Sequence, residues 1–567
     1  MGSSMTERKF VHRPSRRLVS AAIASISFAL SAGLAAPACD SPSCFDTNQL
    51  PCVSVPAPDA GNDAADATMA EAASDAGPEA SDDGSASSDV SGEFDALDAG
   101  DAFDGFDGFD GWDGFVCDPT KAPSDPLACI TDASGVFVAP TGHDGAAGTM
   151  ADPLLKIGDA VKMAAAGAKR VLACGGTYNE QVTIDANVGG DALALYGALD
   201  CVHGWKWSAG TPTILAPTTP GVVLTLKGVS ASVTIEDFGF HALAGANAGD
   251  SSIAVFASYA KKVFLRRCDI AAGKAQDGKD PAGLQGFPMA PAGAPGSADG
   301  GAPPTPNSCN GVANASVGGG GGPPADTGAD GMDGTPGTIS NKGIASAHDC
   351  SITKGSGGAA GENGLGGSAG QGATTLAKLD ETGWTPSAGQ AGGNGTVGQG
   401  GGGGASQSLN GGGGAGGAGG CGGAGGAAGT GGGSSIGVLA YQSTVVLELC
   451  TLAATDAGRG GNGANGQLGQ AFGNRGSGGG ADACQGGHGG YGGTGGGGGG
   501  GAGGVSAAVV WAGTAQMAPT LDGTSMGSAK VGKRGDVGSG GMGVFGAVPG
   551  FNGTAGMPGS AAPVVQF

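Results

Sequence analysis

The sequence predicts an all-β chain: a solenoid of short, stacked parallel strands, closed at one end by a helix and interrupted by long glycine-rich insertions. Three observations predict it. Apolar strands recur thirty residues apart at Leu193 (LALY), Val223 (VLTL) and Ile253 (IAVF), and a second phase recurs at Val233 (VTI) and Val263 (VFL). No helical pattern long enough for a crossover lies between them, and parallel strands joined by loops alone stack into a solenoid. The rung then returns far downstream: SSIAVFASYAKKVFLRRCDIAAG from 251 is echoed by SSIGVLAYQSTVVLELCTLAAT from 434, with Ile253 matching Ile436 and Cys268 matching Cys450. GIASAHDCSITKG (343–355) and VSAAVVWAGTAQMAPTLDG (505–523) read as further, degenerate rungs.

The chain opens with Arg8, Lys9, Arg13, Arg16 and Arg17 ahead of the uncharged run LVSAAIASISFALSAGLAAPAC. A basic region, an apolar stretch and small residues in that order make a secretory signal, assigned to residues 1–38. Ala36-Pro37-Ala38 fits ordinary cleavage. The same residues with Cys39 resemble a bacterial lipobox, which implies an acylated Cys39 anchoring the chain to a membrane. SRRLVS (15–20) resembles a twin-arginine signal, so the export route stays open, as does anchored against free secretion.

Residues 39–134 form an acidic spacer. Between Cys39 and Asp118 stand twenty Asp plus Glu and no Lys or Arg. The whole chain carries −23, and with +4 on the signal segment this leaves −7 for residues 119–567. The acidity therefore belongs to the spacer and says nothing about a charged substrate, and no basic patch for nucleic acid stands out. Ala, Asp, Ser, Pro and Gly bury too little apolar surface to offset chain entropy of ~1–2 kcal/mol per residue, so the spacer is expected to be disordered and extended by its own charge. FDGFDGFDGWDGF (103–115) sets an aspartate at every third position. A three-residue period spreads carboxylates along a line, whereas a calcium loop converges its oxygens in one turn, so the triplets read as spacer.

The folded part is expected from 135, with 135–272 as the first stretch of the solenoid. Asp152-Pro153 reads as a helix start and Gly167 as its stop, with Leu154, Ile157, Val161 and Ala164 or Ala165 as the apolar stripe. Val136–Val138 before it, and Val171–Cys174 and Val182–Ile184 after it, read as strands. The helix covers an open end that would expose apolar interior and strand edges.

From 273 to 567 the rungs alternate with glycine. Gly totals 125 of 567, concentrated in 273–342, 355–433 and 456–504. Proline at 30 is too scarce for collagen. Two readings stand: flexible coil, or polyglycine-II helices packed without Cβ atoms, three insertions over consecutive rungs stacking into one layer. No G-x-x-x-x-G-K-[ST] phosphate loop occurs. Thirteen cysteines in an exported chain should pair, and acylation of Cys39 would leave an even twelve. Cys44 with Cys52, Cys117 with Cys129, and Cys174 with Cys201 lie near enough to close small loops. No C-x-x-C and no histidine spacing point to a metal, and no motif points to a cofactor.

The entrance, the rungs and the glycine tracts resemble PGRS-type glycine-rich bacterial surface proteins with pectin-lyase-like cores. That resemblance implies a right-handed parallel β-helix with an N-terminal capping helix, exposure at the cell surface or outer membrane, and no catalytic motif to carry over; the acidic spacer resembles a lipoprotein tether instead. The expected function is a non-enzymatic structural or adhesive surface protein, whose partners are a membrane through Cys39 and surface polysaccharide or other surface proteins. The alternative is a polysaccharide lyase or hydrolase. Elimination on such a fold needs clustered carboxylates beside an Arg or Lys base. The candidates are Asp185, Glu236, Asp237, Asp269 and Asp349 with Lys261, Lys262, Arg266 and Arg267, and solvated turn charges are the plainer reading. Tyr178, Trp205 and Trp207 are candidates for sugar stacking or for plugging coil ends. A terminal aromatic, Phe567, resembles that of outer-membrane barrels, but no series of alternating ten-residue strands supports one.

Overall fold

The computed structural model describes residues 117–567 apart from 191, 351–355, 525–534, 537 and 544–545. The signal segment, Cys39, Cys44, Cys52 and the aspartate triplets up to 116 lie outside the described residues. Three sheets built of parallel neighbours form the core. The first has eight strands, seven of them running Val136–His143, Arg170–Cys174, Leu193–Asp200, Ser232–Glu236, Lys262–Arg266, Val445–Glu448 and Thr520–Asp522 in spatial order. The second has five, Gly176–Tyr178, Thr213–Leu215, Phe238–His241, Asp269–Ala271 and Thr451–Ala453. The third has seven, led by Val182–Asp185, Leu224–Lys227, Ser252–Ser258, Ser435–Tyr441 and Val505–Ala512. From Leu224 onward the chain visits third, first and second sheet in rotation.

Register shows what the glycine tracts interrupt. Ile253 pairs with Ile436, Leu265 with Leu447 and Ile270 with Leu452, so strands 182 or 183 residues apart are direct neighbours. The sequence correspondence of the two rungs is a physical pairing. Two expectations fail. The Leu193 strand pairs with Val233 in the first sheet and does not share a phase with Val223 and Ile253; the third-sheet partner of Leu224 is Val182. The excursion through Trp205 and Trp207 lengthens that circuit. Residues 343–350 form no rung: they sit in the glycine region, where Gly343 N–H donates to the Gly403 carbonyl at 2.8 Å.

Left-handed residues turn most of the corners into and out of the first sheet. Between third and first sheets these are Gly228 (φ 65°), Tyr259 (φ 51°) and Gln442 (φ 47°); between first and second they are Asp237 (φ 64°), Arg267 (φ 49°) and Leu449 (φ 53°), and Gly523 (φ 56°) stands at the matching place after the last first-sheet strand. A non-glycine residue there is strained by roughly 1–2 kcal/mol. The backbone ladder offsets it by continuing through the corner, as Arg267 N–H donates to the Glu448 carbonyl at 2.9 Å and Leu449 N–H to that of Asp522 at 3.0 Å.

The helix spans Ile157–Ala166, starting later than Asp152-Pro153 suggested. Leu154 forms bridges with Val138 and His143 and is held extended, which delays the helix. Its first free N–H groups, Ile157 and Gly158, donate to the two carboxylate oxygens of Glu180 at 2.6 and 3.1 Å, and Gly167 closes the far end onto the Ala164 carbonyl. Ile157, Ala160, Val161 and Ala164 are buried in the main core. The folded part starts by 117, not 135. Residues 117–134 lie over the first sheet, where Ala122 and Ile130 pack on the cluster of Phe137, Leu172, Tyr196 and Trp205, and Arg170 donates to the carbonyls of Pro119 and Lys121.

The glycine tracts are ordered wherever they are described. Their N–H groups pair at every third residue: 414, 417, 420, 423, 426 and 429 donate in turn to the carbonyls of 484, 487, 490, 493, 496 and 499. The segment 484–504 is the axis. It bonds to six neighbours: 414–432, 458–476, 535–541, 548–557, 358–373 and 387–405. Where it is ringed on all sides, most of its positions have no room for a Cβ. One placed on Gly493, Gly498 or Gly500 would fall inside van der Waals contact with the carbonyl of Leu365, Ala427 or Gly538. His488 and Tyr491 stand in this segment before the 535–559 chain arrives to complete the ring, and Phe472 covers them with ring centroids 4.7 Å from each. Beyond Thr494 the sequence is unbroken glycine to 501. Outer segments need glycine only on their inward phase, as at Gly358, Gly361, Gly364, Gly367 and Gly370.

Where no carbonyl faces an N–H, amide side chains supply one. Asn394 accepts from Gly425, Gln467 from Ala424 and Gln470 from Cys421, at 2.8 to 2.9 Å. Disulfides join Cys117 to Cys129 and Cys174 to Cys201, and two long-range ones that the sequence did not reveal, Cys309–Cys421 and Cys350–Cys484, pin the glycine region. Among the described residues Cys268 and Cys450 are buried thiols, stacked one above the other with Cys268 N–H donating to the Cys450 Sγ at 3.4 Å. Hairpin Ala377–Asp380/Gly383–Pro386, carried on a glycine tract, covers the outer face of the third sheet through Leu379 and Trp384. Ile253 belongs to that outer cluster, whereas Leu265 is interior.

Two outcomes follow for stability. Gly498→Ala should destabilise by about 1–3 kcal/mol or more through overpacking, while Gln371→Ala on an exposed outer phase stays within about 0.5 kcal/mol; urea unfolding compares them. Glu180→Ala should lose about 0.5–2 kcal/mol by uncapping the helix, and Glu180→Gln should keep most of it. Burial raises the Glu180 pKa above its unfolded value, so its ionisation lowers stability as pH rises through the folded pKa, and Glu180→Gln should remove that slope from a series of thermal melts.

Candidate functional site

Three outer faces flank the core, and they differ. The third sheet lies under its hairpin, the first is covered at one end by residues 117–134, and the second keeps a cleft of about 380 Å³. Strand alternation builds its floor. Ile214, Gly239, Asp269 and Thr451 are register partners on successive strands and belong to the outward set, while Leu215, Phe240, Ile270 and Leu452 are buried in the core. A side chain on Gly239 would crowd Ile214 at 3.2 Å and His241 Nε2 at 3.5 Å, so glycine keeps the floor low. His241 Nε2 and Asp269 Oδ2 stand 2.8 Å apart beside it.

The left-handed corner forms the rim. Its turn presents Asp237 and Arg267 outward one above the other, and the guanidinium grips Asp237 in a two-pronged pair, Nε to Oδ1 and Nη2 to Oδ2, both 2.7 Å. The same Nη2 reaches Glu236 Oε2 at 2.7 Å and Ser124 Oγ at 3.2 Å. Trp207 Nε1 donates to Asp237 Oδ2 at 3.0 Å, and its ring centroid lies 6.0 Å from the guanidinium carbon. Hydrogen bonding to Asp237, with the charges of Asp237 and Glu236, drives the Arg267 pKa upward. A base for proton abstraction needs the opposite shift. Arg267 therefore works as a clamp, tying the corner, the Trp207 excursion and the 117–134 segment together.

The sequence candidates divide among separate places. Glu236, Asp237, Asp269 and Arg267 meet at this corner. Arg266 pairs with Glu448 at 3.0 Å on the first sheet, where Lys262 also lies over the Phe264 ring at 4.7 Å. Asp185 accepts from the Asn187 N–H in its own turn, and Asp349 stands beside the Cys350 disulfide of the glycine region. Tyr178 is buried, its hydroxyl donating to the Val138 carbonyl at 3.1 Å, and Trp205 packs edge-on against Phe137. Among the described residues no group of three or more His, Cys, Asp or Glu is disposed to hold a metal ion. His241 and Thr451 went unread in the sequence, although their outward alternation beside Phe240 and Leu452 was the signal that marks them.

Truncating Arg267 to Ala leaves Asp237 and Glu236 without their shared cation and should lower stability by about 1.5–3 kcal/mol, read as a shift in the urea midpoint. Comparison of the chain with protein-family models, with curated proteins and with solved structures gave no match in any of the three.

Proposed function

We propose that this chain is a non-enzymatic, exported cell-surface scaffold or adhesin: an interrupted right-handed parallel β-helix bearing a polyglycine-II-like bundle and tethered through its acidic segment, by acylated Cys39, to a membrane. One observation carries the reading, the ring of six segments around 484–504. A body built of backbone offers stiffness and shape and few side chains for chemistry. Four disulfides among the described residues suit a chain that folds in an oxidising compartment. The clamped state of Arg267 favours a structural corner over an eliminating one. The cleft carboxylates are what favours the second reading, a polysaccharide lyase or hydrolase.

Two measurements test this. Protease treatment of intact cells should remove the folded part, and intact-mass analysis of the membrane fraction should show a chain starting at an acylated Cys39; a cytosolic full-length product would sink the assignment. The purified chain should release no product from anionic or neutral polysaccharides, and turnover abolished by Asp237→Asn or Asp269→Asn would replace the scaffold with the enzyme.

A further inference from the structure

We infer that the open face of the second sheet is a binding groove for an uncharged saccharide chain, with Trp207 as its stacking wall and Asp269 and His241 as its hydrogen-bonding floor. The inference deepens the adhesive side of the proposed function and rests on it only for where the ligand is met.

Shape comes first. The outward row Ile214, Gly239, Asp269 and Thr451 crosses four neighbouring strands, so the floor runs about 14 Å at ~4.8 Å per strand. Ala271 and Ala453 continue the next row, paired in register and small. The result is a shallow trough that admits more than one sugar ring. Ala209, Pro212 and Ile214 line one stretch with apolar surface, and Trp207 stands at its rim. Its indole is fixed by the bond to Asp237 and the guanidinium beside it, so little side-chain freedom remains to be lost on stacking.

Charge then selects the class. Glu236, Asp237 and Asp269 stand against one cation, Arg267, whose Nε and Nη2 are already engaged by carboxylates. A polyuronate would meet an excess of negative charge and a guanidinium held by three competing partners. A neutral sugar meets neither obstacle. Its hydroxyls donate to the Asp269 carboxylate, which is 57% exposed, and its C–H face lies on the indole. Thr451, on the next strand along, extends the row with a hydroxyl that both donates and accepts.

The test is titration of the purified full chain with cellohexaose, N-acetylchitohexaose and oligogalacturonate, followed by tryptophan fluorescence and calorimetry. Saturable binding is expected for at least one neutral hexamer and not for oligogalacturonate. Asp269→Asn, an exposed change that spares the corner clamp, should weaken it by about tenfold, as loss of a charged hydrogen bond does, with the thermal melt unchanged. Trp207→Ala should abolish the fluorescence response. Failure of both neutral hexamers to bind, tighter binding of oligogalacturonate, or an unaltered affinity in Asp269→Asn overturns the groove. None of these outcomes touches surface exposure, which proteolysis of intact cells reads separately.

Discussion

Close backbone contact is the constraint on which the rest depends. A chain bonded to neighbours on every side, through N–H groups that turn to a new partner at each successive residue, leaves no volume for a Cβ. Glycine is thus required by packing along 495–501 of the axial segment and at fewer positions in the segments around it. The entropy of ordering so much glycine is large, because glycine loses the most freedom on folding. Dense backbone pairing offsets it, with amides from Asn and Gln closing the gaps and Cys309–Cys421 and Cys350–Cys484 closing loops of 112 and 134 residues. Each such closure removes about 4–5 kcal/mol of chain entropy from the unfolded state in the simplest model.

That bundle and the sheet core support one another. All the glycine tracts leave the core after a second-sheet or final first-sheet strand and return at a third-sheet strand, so they emerge on one side and meet. The core supplies their register: Ile253 against Ile436, then Ile436 against Ala507, fixes where each tract begins and ends. The bundle in turn returns a hairpin that roofs the third sheet, with Trp384 against Phe567 at 4.6 Å. Apolar surface that would otherwise lie open is thereby buried by a segment inserted far from it in sequence.

The second sheet escapes this roofing, and its chemistry follows from the corner beside it. A left-handed turn throws Asp237 and Arg267 outward at the same corner position on successive strands, where opposite charges stack. The pairing satisfies both groups and withdraws the guanidinium from acid–base work. It also holds Trp207 in place through the bond from its indole N–H to Asp237. What remains free at the floor is Asp269 with His241, a polar pair on an otherwise small-residue surface.

The sequence by itself determined the parallel strands, the helix at the entrance and the kinship of the rungs at 253 and 436, because apolar alternation, the helical stripe from Ile157 to Ala164 and the Gly167 stop are local signals; the helix start was not, since Leu154 is held extended by bridges to Val138 and His143. It also carried the period of three in the glycine tracts. Tertiary structure alone decided which tract is the axis, since only its neighbours on every side separate a tract needing an unbroken glycine run at 495–501 from those needing glycine chiefly on one phase. It decided the long disulfides too: Cys421 and Cys484 lie within glycine runs whose partners no spacing rule selects. The candidate site was half legible. Asp237 and Asp269 were visible as charges near one rung apart, but whether Arg267 was a base or a clamp depended on Glu236, Ser124 and Trp207 arriving from three other parts of the chain.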